Sequence, residues 1–213
     1  MKTPPTINMY CGDELVQVVG PDAPLATPKK MWKTGNGCID HILNEGHFQP
    51  MMESPELPKC RENWRTQLRA ACLTPPADAE LSSAFHTQWH VCHSRLRELV
   101  DDDDLMFDLM WAWLPKYDGP DQTLYRGESI DRFQAENIGS AWSPNEKTAT
   151  MFARGPNAVG QGGMILRATV PAALIIAGPS KHSADWLGES EFSVDTRKLT
   201  GIETIARFPS SGR

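Results

Sequence analysis

The 213-residue chain contains no apolar run approaching the roughly 20 residues that a membrane helix needs, so its sequence offers no helical membrane span. A basic excess is also missing. The formal net charge is -6 and the sequence pI is near 5.5, whereas a general nucleic-acid binder carries a basic face to neutralise phosphates. A protein or small molecule is therefore the expected partner, and DNA or RNA is not. No basic, then apolar, then small-residue segment opens the chain, which reaches Pro4 and Pro5 at once. The five cysteines (Cys11, Cys38, Cys60, Cys72 and Cys92) are odd in number and irregularly spaced, which argues against a disulfide framework. A reduced, cytoplasmic protein is expected; one delivered into another cell by a machine that reads no such signal has the same appearance. Internal repeats and low-complexity tracts are absent.

What is present is an ordinary globular composition, 40% hydrophobic and 23% charged, with seven Trp to anchor a core. Residues 1 to about 60 are rich in Pro and Gly and read as loop-heavy, with a short strand over Glu14 to Val19. A helix over Cys38 to Glu45 is expected to end at Gly46 in the left-handed conformation. From Asn63 to Leu114 the pattern is helical. One helix carries Trp64, Leu68 and Cys72 on a face, and Thr74-Pro75 reads as the cap and first turn of the next. That next helix runs on Leu81, Phe85, Trp89, Cys92, Leu96 and Leu99, spaced by three and four. The run Asp101 to Asp104 reads as a solvated start of a third helix, Leu105 to Leu114, at the positive end of its dipole.

Beyond the turn Tyr117-Asp118-Gly119-Pro120 the chain changes to short strands, predicted over Thr123 to Arg126, Gly163 to Val170, Ala173 to Ala177, Glu191 to Val194 and Ile202 to Phe208. This divides the chain into a loop-rich and helical region, 1–118, and a β-rich core, 119–213, within one continuous compact unit.

Three stretches of the β-rich part stand out in order. The first is Leu124-Tyr125-Arg126-Gly127. The second is Ala141-Trp142-Ser143-Pro144-Asn145-Glu146, running into Phe152-Ala153, and the third is Glu189-Ser190-Glu191-Phe192-Ser193-Val194. Each has a structural explanation of its own; Ser143-Pro144-Asn145-Glu146, for instance, satisfies a capping box with Pro at the first helical position. Together, an Arg on a first strand, a Ser on a second and Glu-x-Glu opening a later one resemble the Arg-Ser-Glu class of mono-ADP-ribosyltransferases, the cholera-toxin and C2-toxin-like enzymes with their bacterial and phage relatives. The resemblance covers about residues 123 to 208. It departs from the class at Ala141-Trp142-Ser143, where the family often has Ser-Thr-Ser; the hydroxyl that supports the catalytic Glu then falls to Ser143 or to Ser140.

The resemblance implies an α+β fold: a helical region, then two small sheets packed face to face around an NAD cleft. It further implies an NAD⁺-dependent toxin- or effector-type enzyme that modifies a protein and releases nicotinamide. NAD⁺ is the substrate, and no metal is expected. Breaking the nicotinamide–ribose bond builds positive charge on the sugar, which a fixed carboxylate stabilises; this role falls to Glu191. On a strand, residues i and i+2 share a face, so Glu189 is expected to point into the same cleft. By resemblance Glu189 selects arginine as the acceptor, because a guanidinium needs a carboxylate to orient it and take a proton. Ser143 completes the catalytic set. Arg126 offers a planar fork for phosphate or ribose oxygens, with Tyr125 beside it, and Gly127 lets the backbone approach the nicotinamide amide. Arg154 is a second phosphate candidate. Trp186, in the segment Pro179 to Gly188, is the candidate for target recognition. Trp142 and Phe152 are more readily read as core than as nicotinamide contacts. Two alternatives stand beside this reading: an NAD glycohydrolase or a transferase to a non-protein acceptor, and an inactive binding or inhibitor module of the same fold.

His86, His90 and His93, with Cys92 alongside, form the rival signal, on one face of the second long helix. Without a closing ligand set the spacing is weak evidence for zinc. Its offset from the apolar stripe predicts packed, hydrogen-bonded imidazoles at the edge of a buried face.

Overall fold

The structure, a computed structural model, describes residues 7–11, 14–18 and 30–211. The chain divides into two compact units, residues 1–32 and 33–213. In the first, β1 (Ile7–Cys11) and β2 (Glu14–Val18) form an antiparallel hairpin; Val19, expected to extend β2, lies outside the described residues. The second unit is an α+β assembly that begins with α1 (Gly37–Leu43), α2 (Gln49–Met52), α3 (Leu57–Cys72), α4 (Ala79–Val100) and α5 (Asp103–Trp113).

The apolar stripe read from the sequence is the buried face of α4: Phe85, Trp89, Cys92, Leu96 and Leu99 are all buried. Trp113 of α5 packs on Phe85 with ring centroids 5.2 Å apart, and its indole N–H donates to the Ala71 carbonyl at 3.0 Å, tying α5 to α3. Arg61 and Arg65 of α3 donate to the carbonyls of Leu99 (2.9 Å) and Val100 (2.8 Å). The last turn of α4 thereby gains cationic partners for carbonyls that have none within the helix.

Several helix boundaries differ from expectation, each for a local reason. Thr74 does not cap α4; its hydroxyl turns back to the Ala70 carbonyl and closes α3. Asp78 is the N-cap, accepting from Leu81 N at 2.8 Å. The acidic run is split. Asp101, in the left-handed conformation (φ 50°), ends α4, and Asp102 caps α5 by accepting from Leu105 N at 3.0 Å. Asp103 and Asp104 then occupy the first turn of α5, where its dipole is positive. After α1 it is Glu45 (φ 59°), not Gly46, that takes the left-handed position.

The sheet part follows as β3 (Gln122–Ser129), α6 (Ile130–Gln134), β4 (Ala141–Trp142), α7 (Glu146–Arg154), β5 (Gly163–Val170), β6 (Ile175–Ala177), β7 (Phe192–Val194) and β8 (Glu203–Phe208). The strands form two antiparallel three-stranded sheets, ordered β3-β5-β8 and β4-β7-β6. Strand alternation sorts β5. Met164, Leu166, Ala168 and Val170 join Leu124 of β3 and Trp142, Ile175, Phe192 and Val194 of the other sheet in one core, while Ile165 packs with Ala149 and Ala153 of α7. Arg126 and Glu128 share the Leu124 face of β3, so charge follows an apolar residue along the inner side of the strand.

The helices are tied to the second sheet beyond β7. Trp111 of α5 donates to the Asp195 carboxylate at 2.8 Å, and Arg197 bridges Asp195 and Asp108. Burial opposes ionisation of Asp195, yet the Arg197 and Trp111 donors hold its carboxyl below the ordinary aspartate range. Replacing Asp78 by Ala is expected to cost about 1 kcal/mol in urea unfolding, whereas Thr74→Ala is expected to change stability by less than about 0.5 kcal/mol; equal costs would place the helix start elsewhere.

Candidate functional site

A cleft of about 810 Å³ opens where β3, the β4–α7 segment, the residues before β7 and the helix α4 meet. Tyr125, Arg126, Gly127, Ser143, Glu189 and Glu191 all line it. The structure thus brings together six of the eight site residues anticipated from sequence. The remaining two stand apart. Arg154, the last residue of α7, stacks its guanidinium over Phe208 of β8, 5.5 Å from the ring centroid. Trp186 is 83% exposed; its neighbour Leu187 reaches the cleft instead.

The two glutamates reach the cleft by a route different from the expected strand. β7 begins only at Phe192, and Ser190 is left-handed (φ 48°), so Glu-Ser-Glu forms a turn. A buried serine holds that turn. The Ser183 carbonyl accepts from Glu189 N (3.0 Å) and Ser190 N (3.3 Å), and its hydroxyl accepts from Glu191 N at 2.8 Å. Ser183 sits in a one-turn π-helix, His182–Trp186, that packs against α4. A short π-helical insertion of this kind is often found at functional sites, but nothing in the sequence pattern announces it.

Ser143 is likewise a holder of the turn. Its hydroxyl donates to the Glu189 carbonyl at 2.6 Å and accepts from Asn145 N at 3.0 Å. It does not cap α7 as a capping box requires; Asn145 does, accepting from Lys147 N at 2.9 Å. Among the described residues neither Ser143 nor Ser140 gives a hydroxyl to the Glu191 carboxylate. At the departing position, Ala141 lies opposite Ser193 of β7.

Arg126 is fixed by a residue the sequence reading passed over. Glu128, two positions along the same face of β3, has no exposed surface and accepts from Arg126 Nε at 2.8 Å. Its oxygens also accept from Ser129 N (2.9 Å) and Gly139 N (3.0 Å), and Arg132 lies 3.4 Å away. Arg126 Nη1 donates to the Ala141 carbonyl at 2.7 Å. The guanidinium passes so close to Gly139 that a Cβ there would collide with it. Gly127 also has a packing cause, since a Cβ would strike the Ala149 carbonyl oxygen and Ala153 nitrogen of α7. Trp142 is core, with its indole N–H on the Gly139 carbonyl at 3.1 Å, and Phe152 borders the cleft. An acidic residue two positions from an Arg on a strand was the one available signal for Glu128.

The helical region supplies the remaining wall. His90 and His93 of α4 line the cleft. His90 Nδ1 lies 2.8 Å from the His86 carbonyl; a carbonyl only accepts, so this nitrogen carries the proton. Its Nε2 is buried, has no hydrogen-bond partner, and sits 3.9 Å from Glu191 Oε1. Packed imidazoles are therefore present, and that of His90 turns its outer nitrogen to within 3.9 Å of a carboxylate oxygen. Burial raises the Glu191 carboxyl and Glu189 adds to the rise, against His93 and Arg126, which lower it. Burial also raises the Glu189 carboxyl and lowers the His90 and His93 imidazoles, and it pushes His86 down to about 3. Among the described residues no group of three or more His, Cys, Asp or Glu is placed to hold a metal ion, and no helix is long and apolar enough to cross a membrane.

No protein-family model, curated protein or solved structure matches the chain. Glu128→Ala, which strands a nearly buried guanidinium, is expected to cost about 3–5 kcal/mol in urea unfolding. Arg154→Ala is expected to cost no more than about 1 kcal/mol; comparable losses would overturn the assignment of Glu128 as the anchor of Arg126.

Proposed function

We propose that the chain is an enzyme that transfers ADP-ribose from NAD⁺ to a protein, on arginine, with release of nicotinamide. The observation that carries this reading is the convergence of Arg126, Glu189 and Glu191 on one cleft. Their sequence context suggested a donor-binding cation and two carboxylates, and they come from separate elements of the fold. The cleft's volume falls within the roughly 300–1,000 Å³ of small-molecule sites.

The residues present fit such a ligand. Arg126 places Nε on Glu128 and Nη1 on the Ala141 carbonyl and lies against Gly139, so its fixed positive charge is offered to a phosphate or ribose oxygen in the same cleft. Tyr125 and Phe152 offer ring surface beside it. When bound, NAD⁺ supplies an activated glycosidic bond with nicotinamide as its leaving group. Glu191, held by its backbone on Ser183 and nearly excluded from water, keeps a negative charge where positive charge develops on the sugar; a fixed charge in a dry site acts more strongly than in solution. Glu189, one turn residue away, orients an incoming guanidinium and accepts its proton. Ser143 keeps the Glu189 end of the turn in place through the backbone.

One observation favours a second reading, an inactive module of the same fold. Ala141 offers no hydroxyl, and no other described serine supports the Glu191 carboxylate. Labelled NAD⁺ incubated with cell extract distinguishes the two. The wild-type chain is expected to leave label on protein, and Glu191→Gln to reduce it by at least about 10²-fold. Glu189→Gln is expected to keep NAD⁺ cleavage while losing transfer. Free ADP-ribose with no labelled macromolecule would make the chain a glycohydrolase, and absence of NAD⁺ binding would make it a binding module. Because burial holds the Glu191 carboxyl above the ordinary glutamate range, transfer is expected to be full only above that raised value. It is expected to fall as pH drops through that raised value, whereas a pH profile flat into the ordinary carboxylate range would contradict Glu191 as the charged group.

A further inference from the structure

Two carboxylates that share one desolvated corner do not both ionise readily, because each charge opposes the other and burial opposes both. The transferase reading nonetheless needs both: Glu191 charged beside the sugar and Glu189 charged beside the acceptor. Arg126 does not resolve the conflict, since its guanidinium is already engaged by Glu128 and the Ala141 carbonyl. The remaining basic groups around the pair are imidazoles. His90 and His93 come from α4, and His182 comes from the π-helical turn. Arg97 of α4 and Arg132 of α6, which also border the cleft, are paired with Asp103 and Glu128.

We infer that His90 and His93 are positioning residues of this site, which take up the one proton that the Glu189–Glu191 pair would otherwise retain, so that both carboxylates carry charge together. The inference rests on the transferase reading for its purpose, but the pairing stands on geometry. His90 Nε2 is buried, lacks any hydrogen-bond partner and lies 3.9 Å from Glu191 Oε1. Because its Nδ1 proton is committed to the His86 carbonyl, the neutral ring turns a lone pair toward the carboxylate. A lone pair facing an anion in a dry site is unfavourable until one proton lies between them. His93 is tied in the same manner, with Nδ1 3.2 Å from the Trp89 carbonyl.

Burial lowers both imidazoles, and the carboxylates oppose it, Glu189 acting on His90 and Glu191 on His93. The step is a single proton transfer. An O–H bond of a carboxyl breaks, an N–H bond of an imidazole forms, and no other reactant takes part. His86, one turn earlier and pushed down to about 3, stays neutral and serves as the backbone acceptor. In this view α4 is part of the site, and the helical region completes the chemistry that Ala141 leaves unsupported.

Histidine-labelled full chain, titrated by ¹⁵N NMR, tests the pairing without any turnover. His90 and His93 are expected to bind their protons in the wild type at a pH about one unit above the value in Glu191→Gln, a tenfold difference in proton affinity. Glu189→Gln is expected to lower the His90 midpoint in the same direction, and serves alone if Glu191→Gln does not fold. Midpoints unmoved in both variants, or imidazoles that stay neutral down to acid unfolding, would overturn the inference. In the labelled NAD⁺ assay, His90→Gln and His93→Gln are expected to move the acid limb of the pH profile up by about one unit. A uniform loss at every pH with the limb unmoved would mean a structural role only, and would also overturn it. Should the wild type transfer no label, the transferase reading falls by itself, while the NMR midpoints still decide the pairing.

Discussion

A carboxylate with no exposed surface is tolerable only when it is surrounded by donors, and Glu128 is surrounded by Arg126, Arg132 and the backbone amides of Ser129 and Gly139. Everything on the β3 side of the cleft depends on that arrangement. It joins the end of β3 to the segment before β4, because one oxygen serves both Arg126 and Gly139. It also makes the guanidinium rigid: a flexible cation becomes a fixed one, with Nε on Glu128 and Nη1 on the Ala141 carbonyl. The absence of a side chain at Gly139 is what lets the fork lie against the backbone.

The opposite wall is built by hydrogen bonds rather than by ion pairs. Glu189, Ser190 and Glu191 form a turn held by one buried serine, Ser183, and by the hydroxyl of Ser143. Both contacts are to the main chain, and among the described residues no hydrogen bond reaches either carboxylate. Carboxylates held by their backbone and stripped of water have raised proton affinity. They are costly to keep in a core and suited to a site where charge is wanted against a cationic partner. The contact of α4 with the π-helical turn brings the histidines to this corner and gives the long helix a part in the electrostatics of the cleft.

Much of the secondary structure was legible because it follows from period and composition. The buried stripe of α4 was read residue by residue from its spacing, and β5 was read to its ends, because such patterns depend on local geometry. Boundaries failed where two short polar residues competed. Thr74-Pro75 and Asp78 both qualify as helix starts, and only the direction taken by the chain after Leu73 selects between them. Ser143 and Asn145 competed in the same way, and the hydroxyl of Ser143 was drawn off by a carbonyl distant in sequence. The Glu-x-Glu pair reached one cleft although the strand argument for it does not hold, since Ser190 breaks the strand and the turn restores a common direction.

The sequence by itself determined the three long helices, most of the strands that follow them and six residues that line the cleft, because these are properties of neighbouring residues or of a short motif. Only the tertiary structure decided that Arg126 is pinned by Glu128, that Gly127 is required by α7, that Ser183 carries the glutamate turn, and that Arg154 and Trp186 lie outside the cleft. It alone placed His90 and His93 against Glu189 and Glu191. The physical reason is common to all of these. Each is a contact between atoms far apart along the chain, and the energy of a buried polar group is set by what surrounds it in space rather than by what precedes and follows it in sequence.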